Sequence, residues 1–417
     1  MRQTQLFIKT RKEAPADEVA KNAQLLIRAG YVHKEMAGVY SFLPLGLRTL
    51  NKIIQIIREE MNAIGGQEVV LTALQNPEVW NKSGRFSDEV IDVWFKTQLK
   101  NDTELGLGPT HEEPLTALMA EHISSYRDLP CSVYQIQTKF RNETRSKSGI
   151  LRGREFLMKD LYSFSLNQKQ HDEFYEQAKQ AYVNVFRRVG VGDKTYLAFA
   201  SGGAFSEFSH EFQTICEAGE DVIYIDKEKG IAVNEEVNND EVLNNLGLDK
   251  NKLVKEKSIE VGNIFTLGTR FSEALDLNYL DESGVEQKVF MGSYGIGPAR
   301  LMGTIVELLS DDKGIVWPES VAPFKVHLVS VGAEKNNVRR VADDFYQKLT
   351  TQNIEVLYDD RDLRPGEKFA DSDLIGIPWR VVVSEKTITS NNFELKNRAS
   401  GVVEMTTENT LLQKLSV

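Results

Sequence analysis

Apolar residues recur three and four apart over two stretches near the start of the chain, the period of a helix with one buried face. Val19, Ala23, Leu26 and Ile27 predict a helix over residues 17–29, closed by Gly30. Leu47, Leu50, Ile53, Ile54, Ile57 and Met61 predict another over residues 45–63, closed by Gly65-Gly66. Residues 68–71 read as a short strand. A third helix is expected over residues 168–189, with Asn167 as N-cap and Phe174, Tyr175, Ala178, Tyr182, Val185 and Phe186 inward. Beyond Trp317-Pro318 and Pro323-Phe324 the pattern changes. Apolar runs at 326–331, 354–358, 380–384 and 402–406 are interleaved with helical stretches at 338–349 and 369–374, which predicts a compact α/β domain.

The length of 417 residues allows two or three domains. An ordinary apolar share of 41%, only 11 prolines and the absence of repeats exclude collagen-like and wholly disordered readings. The formal charge of −11 argues against a phosphate-rich partner only if it is evenly spread, and it is not. Residues 220–260 hold eleven acids against six lysines, while residues 324–417 carry thirteen basic and fourteen acidic groups. The acidic, aromatic-poor stretch is expected to be a small surface insertion. Cys131 and Cys216 belong to no metal-ligand spacing, so a disulfide framework and a cysteine zinc site are not expected. No apolar stretch reaches the ~20 residues that span a bilayer, and the first residues lack the apolar core of a secretion signal. The expectation is a soluble, cytoplasmic protein with no membrane partner.

Chemistry concentrates in four places. In Phe140-Arg141-Asn142-Glu143, then Arg152 to Asp160, alternation on two strands joined by the polar tip TRSKSGIL would present Arg141, Glu143, Arg152 and Phe156 on one face. That set offers cations for phosphates, an acceptor for an amino group and a plane for a base. The turn Gly292-Ser-Tyr-Gly-Ile-Gly297-Pro-Ala-Arg300 leads into an apolar helix; it lacks the third glycine of a dinucleotide fingerprint, and Arg300 at the helix start suits a polyphosphate. In Gly108-Pro-Thr110-His-Glu112-Glu113, Thr110 can equally be an N-cap with acids complementing the helix dipole. Ser209-His210-Glu211-Phe212 has no nucleophile spaced to pair with its histidine, and no phosphate loop of the GxxxxGK[ST] type is present.

F-R-x-E, a loop, R-x-x-x-F-x-x-x-D and then G-x-G-x-x-R are similar to motifs 2 and 3 of class II aminoacyl-tRNA synthetases. GPTHEE, YQIQTKFRNETR, REFLMKDLYSF, SHEF and GIVWP resemble the bacterial prolyl-tRNA synthetases in particular, and DDRDLRPGEKFADSDLIGIP resembles their anticodon-binding domain. The resemblance implies an α+β fold: a class II antiparallel sheet flanked by helices, plus a C-terminal α/β anticodon-binding domain with a mixed sheet. It divides the chain into residues 1–219 (catalytic, motifs 1 and 2), 220–260 (insertion), 261–322 (catalytic, motif 3) and 323–417 (anticodon-binding). It implies ATP-dependent ligation of L-proline to tRNA(Pro) with Mg²⁺, by a homodimer with no DNA partner. Arg141 would bridge the ATP α-phosphate and the proline carboxylate, with Arg300 as the second catalytic cation. Glu143 would accept from adenine, Phe156 would stack beneath it, and Arg152 and Arg300 would hold the outer phosphates. Thr110, Glu112, His210 and Ser293 would line the proline pocket, and Glu211 is a candidate for Mg²⁺. Three departures stand out: Thr72 where motif 1 often has proline, Ser293 where relatives often have cysteine, and 41 residues where bacterial members hold a large editing domain. The insertion is too short for such a domain, so alanyl-tRNA(Pro) is not expected to be edited in cis. A threonyl enzyme would need a zinc site and seryl enzymes lack this C-terminal domain. A catalytically silent paralogue acting as a regulatory or tRNA-binding module is the alternative of a different class, and such paralogues typically lose the ATP arginines present here.

Overall fold

The structure, a computed structural model, describes residues 1–144, 148–201, 208–332 and 336–416. The chain forms two compact units: residues 36–39 and 54–304 in one, and residues 1–35, 40–53 and 305–417 in the other.

The first unit is built on a nine-stranded sheet. In chain order its strands are β1 (Gln67–Val69), β2 (Cys131–Phe140), β3 (Glu155–Ser165), β4 (Thr195–Ser201), β5 (Phe208–Ile215), β6 (Asp221–Asp226), β7 (Ile231–Asn234), β8 (Val254–Gly268) and β9 (Phe290–Ile296). They lie in the order β5-β4-β7-β6-β8-β9-β3-β2-β1. All neighbours are antiparallel except β1–β2 and β4–β7. A second pairing, β5 with β8, closes five of the strands on themselves. One core cluster joins Tyr162 and Phe164 of β3 to Leu115, Phe271 and Met291.

The acidic stretch is part of this sheet. Its polar composition hides an alternation, Ile223 and Ile225 inward on β6, because a strand needs only every second residue apolar. Val233, Val237, Val242, Leu243 and Leu248 add a small core of their own. The boundary expected at residue 260 falls inside β8.

The second unit carries a mixed sheet in the order β11-β10-β12-β13-β14, with β10 (Val326–Ser330), β11 (Val356–Asp359), β12 (Trp379–Val383), β13 (Phe393–Asn397) and β14 (Val403–Thr406). Strand β10 runs parallel to β11 and β12, and the remaining pairs are antiparallel. The helix Asn336–Thr351 packs Val338, Ala342, Phe345 and Leu349 into its core. The first residues of the chain belong here: Arg2 pairs with Asp343 at 2.8 Å, and Thr10 donates to Asp371 at 2.7 Å.

Three helical expectations are met to within a turn. These helices are α1 (Lys21–Arg28), α2 (Pro44–Ala63) and the later Gln168–Arg188, whose N-cap Asn167 accepts from Gln170 N–H. Helix α1 starts four residues late: a turn at residues 15–18 precedes it, with Asp17 and Glu18 both paired with Lys34; Val19, expected inward, is exposed.

Candidate active site

The loop after Leu107 turns tightly into α3 (Glu112–Ala120), and a Cβ on Gly108 would meet the His111 ring at 2.9 Å. Thr110 is not the N-cap: that position is His111, which makes no side-chain cap. The Thr110 hydroxyl instead donates to Glu112 Oε2 at 2.6 Å. Glu112 and Glu113 are buried at the first turn, where the helix dipole favours anions. Arg85, also buried, reaches Glu113 Oε1 at 3.0 Å and Glu112 Oε2 at 3.4 Å. Burial and the charge of Glu112 push the Glu113 carboxyl up to about 7, against the pull of Arg85. Behind the loop, Lys139 Nζ pairs with Asp160 at 2.8 Å and donates to His111 Nδ1 at 2.6 Å, while His111 Nε2 donates to Thr72 O. Burial, then the adjacent Lys139 charge, lowers His111 to about 4, which matches that neutral tautomer.

Arg141 follows β2 directly. Its Nε donates to Pro109 O at 3.2 Å, and its guanidinium lies 5.3 Å from the Phe156 ring centre. The alternation expected around it does not extend that far: β2 ends at Phe140 and β3 begins at Glu155, so Arg141, Glu143 and Arg152 sit on the connecting segment. Residues 145–147 of the expected hairpin tip lie outside the described residues. Arg152 donates to Glu143 at 3.0 Å and to Glu220 at 2.8 Å, and Ser148 also bonds Glu220. Arg300 is in the first turn of the helix Pro298–Leu308. It donates to Leu151 O and Glu260 O, both at 2.9 Å, and pairs with the Glu260 carboxylate at 3.2 Å. The glycines before it permit close approach: a Cβ on Gly295 would meet Asn263 Oδ1 at 2.7 Å.

Two adjoining cavities result. One, of about 120 Å³, is lined by Thr110, Glu112, Arg141, Ser293 and Arg300. The other, of about 240 Å³, is lined by Arg141, Glu143, Arg152 and Arg300 together with Glu220, Asp221 and Glu260. Phe156 lines a recess beside the second. Two expected residues stand apart. His210 lines neither cavity among the described residues; it is bonded to the Tyr175 hydroxyl at 2.8 Å, and burial, then Lys179, lowers it to about 4. Glu211 accepts from Gln213 and Asn234, and the carboxylates that do line the larger cavity are Glu143, Glu220, Asp221 and Glu260. Burial first, then Glu260, pushes Glu211 up to about 8. Among the described residues no three His, Cys, Asp or Glu side chains form a metal-binding group.

Sequence reasoning missed Arg85, Lys139, Asp160 and Glu260. Lys139 and Asp160 lie inside the quoted motifs, but Arg85 is 27 positions before Glu112 and only folding joins them. It also missed a cavity of about 960 Å³ in the second unit. Its walls include Leu6, Ile8, Leu363 and Leu374, with Lys9, Arg11, Lys12, Lys313 and Arg361 around them. Asp362, Glu367, Asp371 and Asp373 also line it, Asp371 bonded to Thr10 and Arg361 and Asp373 to Lys396 and Arg380. No described helix is long and apolar enough to cross a membrane.

Residues 95–308 match the class II tRNA synthetase core domain (G, H, P, S and T), and residues 325–416 match the anticodon binding domain. The proline–tRNA ligase of Rickettsia canadensis (strain McKiel) is 40% identical over 411 residues, covering 95% of this chain and 93% of the relative. That of Rickettsia akari (strain Hartford) is 40% identical over 414 residues and 96% of each. A solved Giardia lamblia prolyl-tRNA synthetase in complex with prolyl-adenylate superposes with a TM-score of 0.76 at 17% identity, covering 91% of this chain and 73% of that one.

Proposed function

We propose that this chain, which belongs to the proline–tRNA ligase family of class II aminoacyl-tRNA synthetases, activates L-proline with ATP in the cytoplasm and transfers it to tRNA(Pro). The observation that carries the reading is the convergence of Thr110, Glu112 and Ser293 with Arg141 and Arg300 around one small cavity. A secondary ammonium needs a buried acceptor, and Glu112 supplies it. A carboxylate attacking a phosphate needs fixed cations at both, and Arg141 and Arg300 supply those.

In this reading the proline carboxylate attacks the α-phosphorus of ATP in line. The P–O bond to the β-phosphate breaks, pyrophosphate leaves, and prolyl adenylate remains. The terminal ribose hydroxyl of the tRNA then attacks the prolyl carbonyl and AMP leaves. Neither step uses a protein nucleophile; Arg141 positions both reactants while Arg152 and Arg300 meet the outer phosphates. Arg152 must exchange Glu143 and Glu220 for phosphate when ATP enters. Glu143 is then free to face the adenine amino group, with Phe156 beneath the ring. The carboxylates Glu260 and Asp221 fit Mg²⁺ better than Glu211, because they line the phosphate cavity and a magnesium ion takes one or two carboxylates plus substrate phosphates. When bound, that ion supplies charge neutralisation at the phosphates. His210 acts on the proline pocket indirectly, through Tyr175. The anticodon arm meets the cations around the cavity of the second unit, and the edge strand β1 carries the homodimer contact.

Editing in cis is absent in this reading, because the residues of the insertion are spent on β6, β7 and the start of β8. The test is pyrophosphate exchange into ATP with proline, threonine and serine in turn. Exchange with proline alone is expected; none with any amino acid would favour the silent paralogue.

A further inference from the structure

The Glu112 carboxylate has two differently placed oxygens. Oε2 is held by the Thr110 hydroxyl and approached by Arg85, whereas Oε1 is 3.4 Å from Ser293 Oγ, on the side of the small cavity. Arg85 stands on the other side of the carboxylate. Its guanidinium is 1% exposed, packed against Phe271 and Trp80, with its backbone carbonyl accepting from Trp94 Nε1. Ser83, from the helix Pro77–Ser83, donates to Glu113 Oε1 at 2.7 Å. Two buried carboxylates therefore share one buried cation, and the cluster gains one net negative charge for a cationic substrate as Glu113 ionises near pH 7.

We propose that Arg85 is the positioning residue of the amine pocket: it pairs with Glu113 from behind and turns Glu112 Oε1 toward the substrate nitrogen. The proposal rests on the proline-pocket reading above. Without the guanidinium, two adjacent buried carboxylates cannot both stay ionised and one proton is shared between them. Other charged groups face the pair without replacing Arg85. Lys139 of β2 is committed to Asp160 of β3, Arg141 faces the reacting carboxylate, and His111 is neutral. Tyr162 of β3 is deeply buried, its hydroxyl pushed further from ionisation by burial. From the short helix Arg270–Ala274, Phe271 packs against Arg85, and Arg270 and Glu273 are exposed.

The experiment measures the KM for proline and for ATP in pyrophosphate exchange between pH 6 and 8.5, on the full chain. Arg85→Met is expected to raise the proline KM at least about tenfold near pH 6.5, with recovery toward pH 8.5 as the shared proton leaves, while the ATP KM moves less than twofold. Arg85→Lys recovers most of the loss. Arg85→Met combined with Glu113→Gln removes the second carboxylate, so the pH dependence disappears and the proline KM falls back toward the parent value. Rescue of one substitution by a second is not expected of a residue that only packs. If Arg85→Met does not fold, Glu113→Gln carries the test, because at pH 8.5, where Glu113 is ionised, loss of one negative charge is expected to raise the proline KM a few-fold. An unchanged proline KM in Glu113→Gln, a pH-independent rise in Arg85→Met, or a double variant no better than the single one overturns the proposal. Failure of the parent protein to exchange with proline would instead overturn the reading on which it rests.

Discussion

At the scale of single residues, the site is a set of charges held by neighbours that substrate must displace or join. In the proposed reaction Arg141 has the most direct role, and its loss would remove a charge-assisted contact to the reacting phosphate. Arg141→Ala is expected to raise the barrier to activation by ~3–4 kcal/mol, the usual cost of one transition-state donor, read as kcat/KM in pyrophosphate exchange. The same scale governs stability against acid. His327 is wholly buried in β10 beside Gln3, and burial holds it down to about 4. The unfolded chain takes up its proton near pH 6.5 and the folded chain only near 4, so the contribution is full above 6.5 and is lost as pH falls through that window. Stability should therefore drop between pH 6.5 and 4 by on the order of 1 kcal/mol per pH unit for this group. His327→Gln should lessen that slope by this group's share, leaving the shares of His111, His171 and His210, and an unchanged slope would show that the His327 imidazole does not contribute.

At the scale of elements, helices and long strands were the readable part. The helix Gln168–Arg188 was legible to within a residue because its cap and its apolar face agree. Asn167→Ala removes the cap and is expected to destabilise by ~1 kcal/mol, measured by denaturant unfolding. Strands β6 and β7 were not legible: they are short, and they pair with β8 and β4, which are distant in sequence. Strand β13 was missed as well, since FELKN alternates with too few apolar residues to register. Because the insertion is built into the sheet, preformed alanyl-tRNA(Pro) is expected to lose its ester no faster with enzyme than in buffer. Alanine itself should be activated to a measurable extent, since each missing methylene discriminates by only ~1–3 kcal/mol. Enzyme-dependent deacylation would require a hydrolytic site elsewhere in the chain.

At the scale of the whole molecule, the boundary between units is not where composition put it. Residues 1–35 and 40–53 join the C-terminal unit: Tyr31 donates to Ile375 O and accepts from Trp317 Nε1, both at 2.8 Å, and Arg48 and Lys52 both bind Glu355. Truncation at Phe324 would strip these partners, so substitution is the cleaner probe of tRNA contact. Arg11→Ala with Lys12→Ala should raise the KM for tRNA in charging more than that for proline, and should make charging less sensitive to salt, as loss of phosphate contacts does. Equal salt slopes would remove that cavity from the tRNA surface.

What the sequence by itself determined is the chemistry within motifs: residues a few positions apart on one strand or turn keep their relation wherever the chain goes. That is why Arg141, Glu143, Arg152, Phe156 and Arg300 could be proposed from their residue types as a phosphate and base set, whereas Thr110 with Glu112 as an amine acceptor came only with the family resemblance. Tertiary structure alone decided the partners of those charges. It brought Arg85 behind Glu112, Glu220 onto Arg152 and Glu260 onto Arg300, and it took His210 and Glu211 out of the cavity lining. The physical reason is that a buried charge is tuned by whatever lies within a few ångströms, and such neighbours arrive from strands and helices whose order in the sheet no local pattern encodes.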